Sequence, residues 1–172
     1  MPNDAQHLGE VLAEGSGILV TAESCTGGLI AELMTQIVGA SAWFAGGWVT
    51  YSNEMKTSQL GVEANLIEAN GAVSWQVAKA MSEGALDGSG ANISISTTGI
   101  AGPSGGTDEK PVGTVFIGCS GASETQVREF RFQGTRDEIR KQSATAAIQM
   151  AFFFLTGETV EVMCSQHGKT IQ

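Results

Sequence analysis

Residues 21–28, with the sequence TAESCTGG, place two side chains that can act as nucleophiles next to each other, the Ser24 hydroxyl and the Cys25 thiol. The apolar run at residues 18–20 before them predicts a buried strand, and the apolar spacing at residues 29–37 after them predicts one face of a helix. At a strand-to-helix junction, unpaired backbone N–H groups point outward and the helix dipole favours negative charge. A nucleophile placed there would have oxyanion donors beside it. The same residues are also typical of an ordinary helix N-cap.

Cys25 is the rival nucleophile, because a thiol at a helix N-terminus has a depressed pKa. A cysteine beside a strand end is also commonly a small buried hydrophobe. The two histidines, His7 in the first predicted helix and His167 near the C-terminus, lie far from any cysteine or carboxylate at metal-ligand spacing. The sequence therefore predicts no metal site, and a base at Ser24 is expected to be a lysine, a tyrosine or a carboxylate.

Two further polar stretches follow predicted strands, residues 51–56 and residues 97–106. Ligands of open α/β sheets collect at the carboxyl ends of strands, so these stretches and residues 21–28 are expected to converge. Lys56 is either a solvated helix lysine or, in a desolvated cleft, a general base with a lowered pKa. Tyr51 either covers the edge of the core or relays a proton. The glycine-rich stretch fits neither a Walker A motif nor GxGxxG, so it indicates only a close backbone approach.

Periodicity and turn signals predict a single domain at residues 1–157, followed by a flexible C-terminal tail at residues 158–172. The predicted elements, in chain order, are a helix around residues 8–12, a strand at 17–23, a helix at 26–38, a loop at 40–47, a strand at 48–51, helices at 53–60 and 63–68, a helix capped by Ser74, strands at 91–98, 112–119 and 125–132, and a last helix opened by the capping box Thr135 to Glu138. This order predicts an α/β fold, a three-layer α/β/α sandwich with a mixed, mostly parallel sheet.

The 172 residues carry a formal net charge of −9, and the pI is near 4.6, which argues against a nucleic-acid partner. An anionic substrate would need a local group of cations, for which Arg136 and Arg140 on the last helix are candidates. No apolar run is long enough to span a membrane, and residues 1–10 do not resemble a secretory signal. Three widely spaced cysteines indicate free thiols and a cytoplasmic protein.

Three aromatic residues beside glycines, Trp43, Phe44 and Trp48, suggest an exposed apolar patch and hence a homo-oligomer, a dimer or higher. The alternative is that these rings pack in the core beneath the predicted loop.

Five motifs resemble one known family when taken together and in order. They are TAESCTGG at residues 21–28, VTYSNEMK at 49–56, GAVS at 71–74, GIAGPSGG at 99–106 and KPVGTV at 110–115. The chain closely resembles, over about residues 5–155, the C-terminal domain of the competence/damage-inducible CinA proteins. That family includes stand-alone nicotinamide-nucleotide amidases, and the resemblance implies the stand-alone form.

The resemblance implies hydrolysis of nicotinamide mononucleotide to nicotinic acid mononucleotide and ammonia, in pyridine-nucleotide recycling and with no cofactor. Ser24 matches the family's serine and Lys56 its lysine, so Ser24 would attack the carboxamide, Lys56 would take the serine proton and Tyr51 would assist. Oxyanion and phosphate contacts are expected from a wider set of residues: Cys25, Thr26, Gly27, Thr98, Gly99, Gly102, Gly105 and Arg140.

Two alternatives stay open from the sequence. One is a catalytically silent module that binds a small-molecule nucleotide without turnover. The other is an amidase whose nucleophile is Cys25.

Overall fold

The structure is a computed structural model, and it describes residues 2–157 and 168–171. Its elements, in chain order, are α1 (Pro2–Glu14), β1 (Leu19–Glu23), α2 (Leu29–Thr35), β2 (Phe44–Val49), α3 (Asn53–Leu60), α4 (Ala64–Asn70), α5 (Trp75–Ser89), β3 (Ile93–Gly99), β4 (Thr114–Gly121), β5 (Thr125–Arg131), α6 (Arg136–Thr156) and β6 (Gly168–Ile171). A single 3-10 turn, Ala40–Ala42, precedes β2.

The strands form one sheet in the order β2-β1-β3-β4-β5-β6. β1 lies parallel to both of its neighbours, β2 and β3. The pairs β3-β4, β4-β5 and β5-β6 are antiparallel. The predicted α/β class and mixed sheet are confirmed, with the parallel pairing confined to β1 and its two neighbours, at one side of the sheet.

Helices cover both faces of this sheet, as the predicted three-layer sandwich requires. On one face α1, α2 and α6 enclose a core that includes Leu8, Ile30 and Ile148. On the other face α3, α4 and α5 enclose a second core that includes Val77 and Met81. β1 contributes to both cores, since alternate side chains of a strand point to opposite faces.

On the face of β3 that α5 covers, the small side chains of Ser94 and Ser96 let the helix pack closely. Ser94 Oγ donates to the Ser82 carbonyl at 2.6 Å and Ser96 Oγ donates to the Ala78 carbonyl at 2.6 Å. These bonds satisfy buried hydroxyls, and they tie the strand to its covering helix.

Two predicted boundaries were wrong, the start of the helix after Ser24 and the start of the second strand. The helix begins at Leu29 rather than residue 26, because Gly27 (φ +61°) and Gly28 (φ +96°) are left-handed and cannot belong to a right-handed helix. The strand β2 begins at Phe44, inside the predicted loop. Gly47 lies within this strand and faces Thr21, where a Cβ would lie 2.9 Å from the Thr21 carbonyl oxygen. Gly47 therefore marks a close approach between β1 and β2, although a glycine at this position of the sequence suggests a loop.

The three aromatic residues predicted to form an exposed patch lie partly in the hydrophobic core. Trp43 is buried, and a Cβ on Gly9 would lie 2.6 Å from Trp43 Cζ2, so this glycine makes room for the ring. Phe44 and Trp48 are half-buried and pack against the two cores. Core packing, the alternative to an exposed patch, holds for Trp43, and the homo-oligomer stays a prediction.

The predicted tail at residues 158–172 is only partly described. Residues 158–167 and 172, which include His167, lie outside the described residues. The four residues Gly168–Ile171 form β6 against β5, although they belong to the segment predicted to be a flexible tail. None of the helices in residues 2–157 is both long and apolar enough to cross a membrane.

Candidate active site

Ser24 is the first residue after β1 and is held by both neighbouring strands. Its N–H donates to the Thr97 carbonyl in β3 at 2.9 Å, and the preceding carbonyl, that of Glu23, accepts from the Thr50 N–H beyond β2 at 2.9 Å. Because β1 is parallel to both neighbours, the segments that follow β1, β2 and β3 all leave the sheet at one edge. The predicted convergence of the three polar stretches is therefore confirmed.

Lys56 reaches Ser24 from α3, which is capped at its N-terminus by Ser52. The Lys56 side chain is only 1% exposed, and Nζ lies 3.0 Å from Ser24 Oγ. Nζ also donates to the carbonyls of Thr50 at 2.9 Å and Tyr51 at 3.4 Å. Burial lowers the pKa of Lys56, because the charged ammonium loses its hydration.

The three oxygens around Nζ fit both protonation states of the amine. A charged ammonium donates to all three. A neutral amine, which the lowered pKa favours, needs its two N–H groups for the carbonyls of Thr50 and Tyr51, and its lone pair is then directed at the Ser24 hydroxyl. The arrangement is that of a nucleophile and its general base.

The backbone around Ser24 leaves two N–H groups for an oxyanion. The Ser24 carbonyl accepts from the Gly27 N–H at 3.2 Å, and the Ser24 N–H is bound to β3. The N–H groups of Cys25 and Thr26 make no hydrogen bond to another residue in the part of the chain that the structure describes. Buried backbone donors are nearly always paired, and both residues are buried, so this pair is a candidate oxyanion hole. Gly27, which was also predicted as an oxyanion donor, has its N–H occupied by Ser24.

The start of α2 is not free to bind an anion. The carboxylate of Glu23, fully buried, accepts from the N–H groups of Gly28 at 2.9 Å, Ile30 at 3.1 Å and Ala31 at 2.9 Å. The expectation that the helix N-terminus itself presents donors to a ligand was therefore wrong, because a protein carboxylate already occupies it.

The Cys25 thiol is a poor nucleophile here. Burial raises its pKa to about 12, whereas a free helix N-terminus would have lowered it. The thiolate is therefore almost absent at neutral pH, and Ser24 is the better nucleophile. The Cys25 backbone N–H, by contrast, stays a candidate oxyanion donor.

Tyr51 lies at the mouth of the cleft and is 62% exposed. Its hydroxyl accepts from Arg136 Nη2 at 2.8 Å, and Arg136 Nη1 donates to the Gly102 carbonyl at 2.8 Å. The Tyr51 group that contacts Lys56 is the carbonyl, so the structure places the phenol on Arg136 rather than on Ser24 and Lys56. Arg136, which the sequence offered as a candidate cation for an anionic substrate, lines the cleft.

Arg140 has a different contact set from the one predicted. Its Nε donates to the Cys25 carbonyl at 3.2 Å and its Nη2 donates to the Thr26 carbonyl at 2.6 Å. Arg140 is not among the residues that line the cleft. These two donors clamp the backbone that follows Ser24, and a phosphate contact of Arg140 stays a prediction.

The other predicted binding residues divide between the cleft and its supports. Thr98 and Gly99 line the cleft, and Thr98 Oγ1 donates to the Ala72 carbonyl at 2.7 Å. Thr26 points inward, with its Oγ1 2.7 Å from that of Thr97. The Gly102 carbonyl accepts a hydrogen bond from Arg136, whereas Gly105 is exposed and does not line the cleft.

The cleft has a volume of about 220 Å³. Four lining residues were not predicted as site residues: Asn53, Ala72, Val73 and Ala101. All four lie inside the family motifs at residues 49–56, 71–74 and 99–106. The motifs therefore point to the right segments, but nothing in the sequence shows which of their side chains face the cleft. No group of three or more His, Cys, Asp or Glu side chains that could hold a metal ion occurs among the described residues.

Comparison with known proteins identifies the family. The model of the CinA C-terminal domain matches residues 3–155. The chain belongs to the CinA C-terminal domain family. The resemblance read from the sequence motifs is thereby confirmed.

Individual relatives agree with this assignment. A CinA-like protein of Desulfotalea psychrophila is 48% identical over 146 residues, which cover 85% of this chain and 35% of the relative. A crystal structure of the competence/damage inducible protein CihA from Agrobacterium tumefaciens is 39% identical, with a TM-score of 0.87 over 90% of this chain and 94% of that one. A CinA superfamily protein from Klebsiella pneumoniae is 31% identical, with a TM-score of 0.87 over 91% of this chain and 98% of that one. The chain spans only 32–38% of the length of three of the curated relatives that it matches.

Proposed function

We propose that this chain is a serine amidase that hydrolyses nicotinamide mononucleotide to nicotinic acid mononucleotide and ammonia. The observation that carries the proposal is the 3.0 Å contact between Ser24 Oγ and the Nζ of a buried Lys56 whose pKa is lowered. The substrate is the one that the family resemblance implies, and its carboxamide is the group that such a pair attacks.

The reaction has two steps, acylation and then deacylation of Ser24. Ser24 Oγ attacks the carboxamide carbon as its proton moves to Lys56 Nζ, and the resulting oxyanion accepts from the N–H groups of Cys25 and Thr26. The C–N bond then breaks, and the amide nitrogen leaves as ammonia with the proton that Lys56 returns. Water attacks the acyl-enzyme with Lys56 again as base, which releases the carboxylic acid and restores the Ser24 hydroxyl.

The dimensions and charge of the cleft support a substrate with a small amide end and an anionic remainder. A volume of about 220 Å³ suits a planar ring with its carboxamide better than a whole mononucleotide. The phosphate would then lie at the rim, where Arg136 presents its guanidinium beside Tyr51. Arginine is suited to this contact, since its planar fork binds phosphate with two hydrogen bonds.

The test is ammonia release from nicotinamide mononucleotide by the wild type and by Ser24→Ala. We expect the variant to fold and to lose activity by about 10⁴-fold or more, as removal of a nucleophile does in serine hydrolases. Ser123→Ala is the matched control, because Ser123 is exposed in the β4–β5 turn at the opposite end of the sheet, and it should retain full activity. Binding of the mononucleotide without turnover by the wild type would instead identify the silent binding module. Full activity of a folded Ser24→Ala would reject Ser24 as nucleophile.

A further inference from the structure

The clamp made by Arg140 holds two successive peptide groups of the turn after Ser24. Its Nε binds the Cys25 carbonyl and its Nη2 the Thr26 carbonyl, so one guanidinium ties this turn to α6. Hydrogen bonds from a charged donor are roughly twice as strong as neutral ones, and two from one rigid fork fix orientation as well as distance.

The orientation matters because of peptide geometry. In a trans peptide the C=O and the N–H point in opposite directions. The Thr26 carbonyl faces Arg140, and the N–H of the same peptide, that of Gly27, points back to the Ser24 carbonyl at 3.2 Å. The Cys25 carbonyl also faces Arg140, so the N–H of that peptide, the Thr26 N–H, must point away from the guanidinium.

We propose that Arg140 is a positioning residue which fixes the peptide between Cys25 and Thr26 so that the Thr26 N–H is presented to the oxyanion. This inference rests on the proposed function to the extent that acyl transfer occurs at Ser24. Without Arg140, this peptide loses its carbonyl anchor, and rotation about the flanking bonds turns its N–H away from the reacting carbonyl. Substrate recognition is the task of Arg136, one turn earlier on α6, which lines the cleft where Arg140 does not.

Steady-state kinetics of Arg140→Met separate these two roles. The substrates are nicotinamide mononucleotide and nicotinamide riboside, which lacks the phosphate. We expect kcat to fall by about 10- to 10³-fold, the range for loss of one oxyanion donor, by the same factor for both substrates and with KM nearly unchanged. A rise in KM for the mononucleotide alone, with kcat unchanged, would overturn the proposal, because it would make Arg140 a phosphate ligand.

Two variants with substitutions elsewhere in α6 serve as controls. Lys141→Met removes the next cation along, which is 66% exposed and paired with Asp137 at 2.7 Å, and it should leave both parameters unchanged. Arg136→Met should raise KM for the mononucleotide and not for the riboside. If Arg140→Met does not fold, Arg140→Lys decides the matter, since lysine keeps the charge but cannot span both carbonyls with a fixed fork. A lowered kcat at constant KM in that variant supports the proposal, and an unchanged kcat refutes it.

A binding measurement makes the inference independent of the natural substrate. Pyridine-3-boronic acid forms a tetrahedral adduct with a reactive serine and places an oxygen where the oxyanion would lie, whereas nicotinamide stays planar. We expect Arg140→Met to weaken binding of the boronic acid by about tenfold or more and to leave nicotinamide binding unchanged. If the wild type binds the boronic acid through Ser24 but releases no ammonia from the mononucleotide, the proposed substrate fails while this comparison still tests Arg140. Equal boronic acid affinities in the wild type and Arg140→Met would overturn the proposal.

Discussion

Lys56 should titrate at the same pH in two independent assays, enzyme activity and protein stability. The perturbation is Lys56→Met, which replaces the amine with an apolar side chain of similar length. Burial favours the neutral amine and lowers the Lys56 pKa below its ordinary value of 10.5. The neighbouring Cys25 thiol, with its pKa raised to about 12, stays protonated over this range and does not obscure the titration.

The activity arm follows from the need for a neutral base. Below the Lys56 pKa, the fraction of neutral amine rises tenfold per pH unit, so kcat/KM of the wild type should rise by about tenfold per unit and then level off. Lys56→Met should lose about 10²- to 10⁴-fold in kcat/KM, the usual contribution of a general base, and should lose this pH dependence as well.

The stability arm has a definite sign. Below the folded-state pKa, Lys56 is charged in both the folded and the unfolded chain, so the cost of burying the charge is present in full. Between that pKa and 10.5, the unfolded chain binds a proton that the folded protein does not, so the free energy of unfolding rises with pH. The gain of the wild type over Lys56→Met should approach about 1.4 kcal/mol per pH unit in this window.

Ammonia release and urea unfolding, each measured from about pH 6 to about pH 11 on both proteins, report the folded-state pKa of Lys56 in two ways: as the pH at which activity levels off and as the pH at which the stability difference begins to rise. The difference between the two proteins matters here, because Lys56→Met also leaves the Thr50 and Tyr51 carbonyls without their donor at every pH. Agreement between these two pH values supports Lys56 as the base. A wild-type activity that goes on rising through the window in which the stability difference rises, or a stability difference that falls as pH rises, would refute the reasoning.

Two further substitutions test how the site is held. Glu23→Gln places an amide NH₂ where a carboxylate oxygen accepts backbone N–H groups, so we expect a loss of about 1–3 kcal/mol in urea unfolding, and an unchanged midpoint would contradict the role of Glu23 as the cap of α2. Gly84→Ala in α5 would gain up to about 1 kcal/mol from helix propensity alone. A Cβ there would overlap the Leu60 carbonyl oxygen of α3 and lie 2.8 Å from the Leu60 carbon, so we expect the variant to be destabilised and, because α3 carries Lys56, less active. A thermal midpoint equal to or above that of the wild type would show that α3 can move without cost.

Local signals in the sequence were sufficient for much of the fold. The capping box of Thr135 and Glu138 and the Ser74 cap each depend on neighbouring residues, and each is found as predicted. The boundaries that failed were set by distant contacts. Gly47 looks like a loop residue until Thr21 is placed against it by strand pairing, and nothing local predicts that pairing.

The same division holds at the site. The sequence by itself determined that Ser24, Lys56 and the loop that begins at Gly99 lie after strands, because hydrophobic periodicity marks where the strands end. Parallel strands around β1 then bring these ends to one edge.

Only the tertiary structure decided what each charged group binds. Glu23 occupies the helix N-terminus, Arg140 holds backbone carbonyls, and Arg136 faces the cleft, although the sequence offered both arginines equally as contacts for an anionic ligand. The direction of a long side chain depends on which acceptors are within its reach, and packing between α6 and the turn after β1 sets those distances. The raised pKa of Cys25 has the same origin, since burial is a property of the assembled fold and not of the residues beside it in the chain.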